Sequence, residues 1–217
     1  MTTYGPLTFA FDDRSMWSVS NVLRYRASER PDKTYLKWES QSWTYREVDE
    51  IATSIGSSLL GAGLVKGDRM MIFMDNCAEY VLSWFGAARA GIVETPTNSD
   101  YLGRFLQHSL TVTAPKAIVV QTHYVSRFVD LGDALRVLDP LLIIVGDDAE
   151  TTAAGLVDTG LRAVTFDDMR RPVELLDLSE PDRREELASL LFTSGTTGPS
   201  KAVMMSNAHM FFFANEY

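Results

Sequence analysis

The residues best suited to do chemistry are gathered between Thr193 and Lys201, which read Thr-Ser-Gly-Thr-Thr-Gly-Pro-Ser-Lys. Hydroxyls at Thr193, Ser194, Thr196 and Thr197 can donate to phosphate oxygens, and the backbone N–H groups of a glycine-rich loop do the same. Gly195 and Gly198 let the chain approach an anion closely, Pro199 stiffens the exit, and Lys201 supplies positive charge. The chemistry implied is the holding of a polyphosphate. A flexible linker could share this composition, but the flanks are wrong for one. Leu187–Phe192 is apolar enough to be a buried strand, and Ala202-Val203-Met204-Met205 resumes at once.

Two common nucleotide fingerprints are excluded by spacing. A Walker loop needs Gly, four residues, then Gly-Lys-Ser/Thr, and the fifth position after Gly195 is Ser200. The dinucleotide pattern Gly-x-Gly-x-x-Gly is approached only by Gly61, Gly63 and Gly67. There the last glycine comes one residue late, and the cluster reads as a helix end and turn.

Elements that could position such a loop alternate along the chain. An amphipathic helix over Val19–Arg30 stops at Pro31, and Thr34–Trp38 with Gln41–Thr44 forms a small strand pair. Thr44 and Glu47 make a capping box for a helix running to about Ala62. Strands follow at Arg69–Met74, Ile92–Thr95 and Lys116–Gln121, separated by helices from an Asn76 cap to Ala90 and over Asp100–Leu110. A further helix is expected over His123–Leu138, and Leu141–Val145 is the continuous apolar run of a strand buried on both faces. The fold class expected is α/β, a mostly parallel sheet with helices on both faces. Ligands of such sheets sit at the carboxyl ends of strands, which is where a loop after Phe192 falls. Gly146–Gly160 reads as a surface excursion and Asp177–Glu186 as a solvated approach to the loop strand.

Composition bounds the function. The chain has 217 residues, 46% of them hydrophobic and 23% charged, enough to bury a real core in one or two domains. A net charge of −9 argues against nucleic-acid binding and requires local positive features to meet an anionic substrate. The single cysteine, Cys77, excludes internal disulfides, offers no metal-site spacing and reads as a half-buried helix residue. With no targeting segment in Met1–Asp13 and no apolar stretch long enough to span a bilayer, a cytoplasmic location is expected. His108 and His123 lack partner spacing and read as structural, Asp147-Asp148 as a turn, and Trp17, Trp38, Trp43 and Trp84 as core. Met204, Met205, Met210 and Phe211–Phe213 could line an apolar pocket, though packing is the plainer role.

At Thr193–Lys201 the chain resembles the phosphate-loop signature of the adenylate-forming superfamily, the acyl- and aryl-CoA ligases, luciferases and peptide-synthetase adenylation domains. Ser42–Val48, Gly67-Asp68-Arg69, Asp75–Tyr80 and Ala88–Gly91 agree in order and spacing, and the acyl-CoA ligase branch is the nearest. Two positions depart from the pattern. Ala202 stands where glycine is usual, and Ser206-Asn207 where Ser-His is usual. The resemblance implies ATP-dependent activation of a carboxylic acid to an acyl-adenylate, then transfer to CoA, with Mg²⁺ accompanying ATP. It assigns ATP phosphate binding to Thr193, Ser194, Gly195, Thr196, Thr197, Gly198 and Lys201, and no metal ligand. It also makes residues 1–217 the N-terminal part of the large AMP-binding domain, with the adenine-contacting segment, ribose-binding aspartate, hinge and catalytic lysine expected beyond Tyr217. On that basis the chain by itself is an incomplete, inactive piece that self-associates through its apolar C-terminal segment. Another adenylate-forming enzyme loading a carrier protein, or a non-catalytic phosphate-binding module, is the alternative.

Overall fold

The computed structural model describes residues 11, 13–171, 178, 183–193 and 200–215. Among these, β1 (Thr34–Trp38) and β2 (Gln41–Thr44) form an antiparallel pair, apart from a larger seven-stranded sheet. That sheet comprises β3 (Arg69–Phe73), β4 (Val93–Pro96), β5 (Ala117–Gln121), β6 (Leu141–Val145), β7 (Ala163–Thr165), β8 (Leu187–Thr193) and β9 (Lys201–Ser206). Its order is β7-β6-β5-β3-β4-β8-β9, every pairing parallel except β8 with β9. The α/β class and mostly parallel sheet anticipated from the alternation are therefore present.

Helices cover both faces because successive residues of each central strand point to opposite sides. Met70 and Ile72 of β3 join Val119 and Ile143 in one cluster, against α1 (Val19–Glu29), α2 (Tyr45–Gly61), α3 (Ala78–Ala90) and α8 (Phe166–Arg170). Met71 and Phe73 join Ile118 and Ile144 in the other, against α4 (Arg104–Thr113), α5 (Val125–Val129), α6 (Asp133–Leu138) and α7 (Ala149–Asp158). A last helix, α9 (Asn207–Asn215), comes after β9. No helix of the described residues is long and apolar enough to cross a membrane.

The Thr44–Glu47 capping box is formed in both directions at the start of α2. Other boundaries differ from the sequence reading, each for a local reason. The N-cap of α3 is Cys77, in extended backbone without a side-chain cap bond, so Asn76 does not cap it. Asp100 sits in a turn closed by Asn98 Oδ1, and α4 begins only after Gly103, at φ 48°. Gly132, at φ 54°, divides the expected His123–Leu138 helix into α5 and α6. The expected excursion over Gly146–Gly160 instead contains α7, which buries Ala149, Ala153 and Leu156 at one-turn spacing. β7 and α8, joined by a second capping box at Thr165 and Asp168, had no counterpart in the sequence reading.

Of the tryptophans read as core, Trp43 and Trp84 are half-buried and pack against the core, Trp17 is half-buried, and Trp38 is exposed. The approach to β8 is not wholly solvated. Arg183 is buried and its Nη1 donates to the Ala88 carbonyl at 2.9 Å, at the C-terminal turn of α3.

Candidate nucleotide-phosphate site

β8 runs parallel to β4, with Ser189 opposite Glu94, so its C-terminal end emerges at the carboxyl edge of the parallel sheet. The chain then turns back as β9, and Thr193 and Lys201 are register partners closing the ladder. The base of this hairpin, Thr193 with Lys201, thus stands at the edge where parallel sheets receive ligands. Thr193 and Lys201, the two expected site residues at the base of that connection, are brought together and both are exposed. Thr193 Oγ1 donates to the Lys201 carbonyl at 3.4 Å. Ser194, Gly195, Thr196, Thr197 and Gly198 lie outside the described residues.

The chain beyond β9 is anchored by Asn207, one of the two departures from the usual pattern. Asn207 is buried, donates from Nδ2 to the Arg183 carbonyl at 3.0 Å, and its N–H reaches the Glu186 carbonyl at 3.0 Å. The N–H of Ala208 bonds the Arg184 carbonyl at 2.9 Å. These bonds give the first amides of α9 the acceptors that a helix N-terminus lacks internally. Asn207 is thus a structural tie, and the Ser206 hydroxyl caps His209 N–H at 3.3 Å.

Three features of the carboxyl edge were not legible as site features. The first is a cluster on Asp75, just after β3. Its carboxylate accepts from the Tyr124 hydroxyl at 2.8 Å and the Ser99 hydroxyl at 3.1 Å, with His123 Nε2 at 3.6 Å. The Tyr124 hydroxyl is the chief cause holding the Asp75 carboxyl below its ordinary range. Arg127 lies 4.3 Å over the Tyr124 ring and donates to the Ser99 carbonyl. These groups come from the loops after β3, β4 and β5 and satisfy one another. The spacing of Asp75, Ser99 and Tyr124 along the chain carries no signal, because the sheet alone brings them together.

The second feature is His108, whose Nε2 is 2.9 Å from the Ser200 carbonyl, while the Tyr101 hydroxyl lies 3.4 Å from Ser200 Oγ. The third is Glu94, buried on β4 where it meets β8. Burial pushes its carboxyl up to about 7. The Ser189 hydroxyl itself has no hydrogen-bond partner among the described residues.

Cys77 is half-buried, as read from sequence, and burial raises its thiol to about 12, which makes it inert as a nucleophile at neutral pH. Asp147 and Asp148 form a turn. No three acidic, histidine or cysteine side chains of the described residues gather as a metal site.

The apolar C-terminal segment divides in its roles. Phe211 stacks on Trp17 with centroids 5.2 Å apart, and with Met210 it lines a groove of about 470 Å³ whose other walls include Val19, Leu23, Tyr35 and Phe85. Met204 and Phe213 are exposed. Packing, the plainer role, accounts for Phe211.

A profile of the family described as AMP-binding enzyme matches residues 23–217, and the chain belongs to that family. It is 32% identical over 167 residues to 4-coumarate–CoA ligase 3 of Arabidopsis thaliana, covering 77% of this chain and 28% of that protein. It is 28% identical over 182 residues to a long-chain-fatty-acid–CoA ligase of Escherichia coli O157:H7, covering 77% of this chain and 32% of that protein. Among solved structures, an anthranilate–CoA ligase in complex with anthranoyl-AMP superposes with a TM-score of 0.74 at 22% identity, over 88% of this chain and 35% of that one. The chain therefore spans about a third of the length of these relatives.

Proposed function

We propose that residues 1–217 are the N-terminal part of the large AMP-binding domain of an acid–thiol ligase, and that they hold the phosphates of ATP while a carboxylic acid is activated. The observation that carries this reading is the family match over residues 23–217, which spans the β8–β9 hairpin that pairs Thr193 with Lys201 at the carboxyl edge of the sheet. A carboxylate is a poor acyl donor because oxide leaves badly. Attack of its oxygen on the α-phosphorus of ATP forms a P–O bond and breaks the bond to the bridging oxygen, so that pyrophosphate departs with the electron pair. The acyl-adenylate then yields to a CoA thiolate, which attacks the carbonyl carbon and expels AMP.

In this reading Thr193, Ser194, Thr196, Thr197 and the amides of Gly195 and Gly198 hold the β- and γ-phosphates, and Lys201 neutralises the charge of the bound phosphates. Positioning and charge neutralisation are most of what a protein contributes to such transfers. Magnesium, in this reading, accompanies ATP on its phosphates.

The test is acid-dependent ATP–pyrophosphate exchange by the longest product of the reading frame that contains these residues, across short, long, aryl and carnitine-like carboxylates. Exchange with one acid class is expected, and removal of one phosphate-holding group in Thr197→Ala or Lys201→Ala should lower it on the order of 10²-fold. Product formation with free CoA, against a carrier-bound pantetheine, identifies the thiol. A folded product that exchanges with no acid overturns the reading.

A further inference from the structure

Helix α4 reaches from one face of the sheet to the strand that carries Lys201. Leu106 and Leu110 on either side of His108 are 0 and 1% exposed, which fixes the helix against β3 and β5. The His108 ring is thereby held with Nε2 2.9 Å from the Ser200 carbonyl. A carbonyl only accepts, so Nε2 carries the proton in this contact. Tyr101, in the connection from β4 to α4, adds a second hold on the same residue through Ser200 Oγ.

The peptide that His108 grips is the one joining Ser200 to Lys201. Fixing its carbonyl fixes the plane that also contains the Lys201 N–H, and with it the direction in which the lysine side chain leaves the strand. On the other side, Thr193 Oγ1 reaches the Lys201 carbonyl. Lys201 is thus held at both of its peptides, by different elements. Its ammonium meanwhile makes no ion pair or hydrogen bond with the described residues. A cation whose backbone is clamped and whose charge is left unpaired among the described residues is arranged to meet an external anion.

We propose that His108, assisted by Tyr101, is a positioning residue for Lys201, acting through the Ser200 carbonyl to aim the ammonium at the phosphates. The consequence for catalysis rests on the phosphate-binding reading; the clamp on the strand does not.

Two measurements on the whole protein separate these parts. Amide hydrogen exchange reads the clamp in His108→Ala and in His108→Gln, whose amide nitrogen can stand in for Nε2. Loss of one hydrogen bond should quicken exchange over residues 200–203 about tenfold in His108→Ala, with His108→Gln near native and β5 and β6 unaltered. ATP–pyrophosphate exchange reads the consequence. KM for ATP should rise about tenfold in His108→Ala with kcat nearly unchanged, recover in His108→Gln, and show no added effect in a Lys201→Ala background.

Unchanged exchange at 200–203 overturns the proposal, as does acceleration spread across the sheet that glutamine fails to rescue. Local loosening with an unmoved KM also overturns it, since the lysine would then not depend on the clamp. If the native protein exchanges pyrophosphate with no acid, the functional reading fails by itself, and hydrogen exchange still decides whether His108 holds the strand.

Discussion

Glu94 sits in an environment far from what its type prefers. It is 4% exposed, its carboxyl is raised to about 7 by burial, and Tyr80, raised to about 12 chiefly by its own burial, is pushed up further by the Glu94 charge. A folded-state value above the unfolded one, near 4.5, means the native protein keeps a proton that the unfolded chain has already released. The stability it contributes is fully present below pH 4.5 and is lost as pH rises through about 7. Glu94→Gln should remove that dependence. It should match the native protein at pH 4.5 and exceed it at pH 8 by up to about 3 kcal/mol, read as the difference between urea unfolding curves. Parallel stability profiles would sink this account.

A second prediction at this scale concerns Arg89, which is 3% exposed and bonded to Asp49 and to Thr53 Oγ1 at 3.2 Å. Asp49→Ala strands a buried guanidinium and should cost about 3–5 kcal/mol by the same measurement. Neither environment was visible in the sequence. Glu94 meets Ser189, and Arg89 meets Asp49, only because strands and helices distant along the chain are packed together. The loop residues were legible because their chemistry is written in consecutive positions.

At the scale of elements, α2 and α3 approach each other closely through small residues. A Cβ at Gly86 would stand 2.3 Å from Cγ2 and 2.6 Å from Cβ of Ile55, both branched side-chain atoms with no room to move. Gly86→Ala should therefore force the helices apart and lower stability by about 1–3 kcal/mol, seen as a shifted denaturation midpoint with an unchanged slope. Elements with strong local signals were read correctly: the Thr44–Glu47 box, the turn glycines at φ 95° and 85° (Gly63 and Gly67), and the apolar run of β6. Those that failed turned on backbone freedom or faint amphipathicity. Gly132 breaks a helix that periodicity alone would continue, and the stripe of α7 is built mostly from alanines, which composition reads as loop.

For the whole molecule, net charge and exposed apolar surface pull in opposite directions. A charge of −9 favours solubility, while Val203 at 43%, Met204 at 67% and Phe213 at 55% exposure leave apolar side chains on the outermost strand and the helix after it. The expected patch over Met210–Phe213 is thereby narrowed, since Phe211 stacks on Trp17. An outermost strand with unpaired backbone groups is a template for association. We expect the 217-residue chain to show concentration-dependent dimers by sedimentation, more abundant at high salt, and Met204→Lys to reduce them. A monomer at all concentrations would show the edge to be adequately shielded by charge alone.

The seam between β4 and β8 also sets the order in which the molecule can assemble. β3 to β7 and their helices form a run in which each strand finds its neighbour after one helical crossover or two. β8 must instead return to β4 across a long intervening stretch of chain, bringing Ser189 to Glu94. Closing so long a loop costs entropy before any pairing repays it, whereas β8 and β9 can zip together locally. The hairpin should form early and dock last. Pulsed hydrogen exchange during refolding would then protect the amides of β5 and β6 first, leaving those facing the seam open until the final phase.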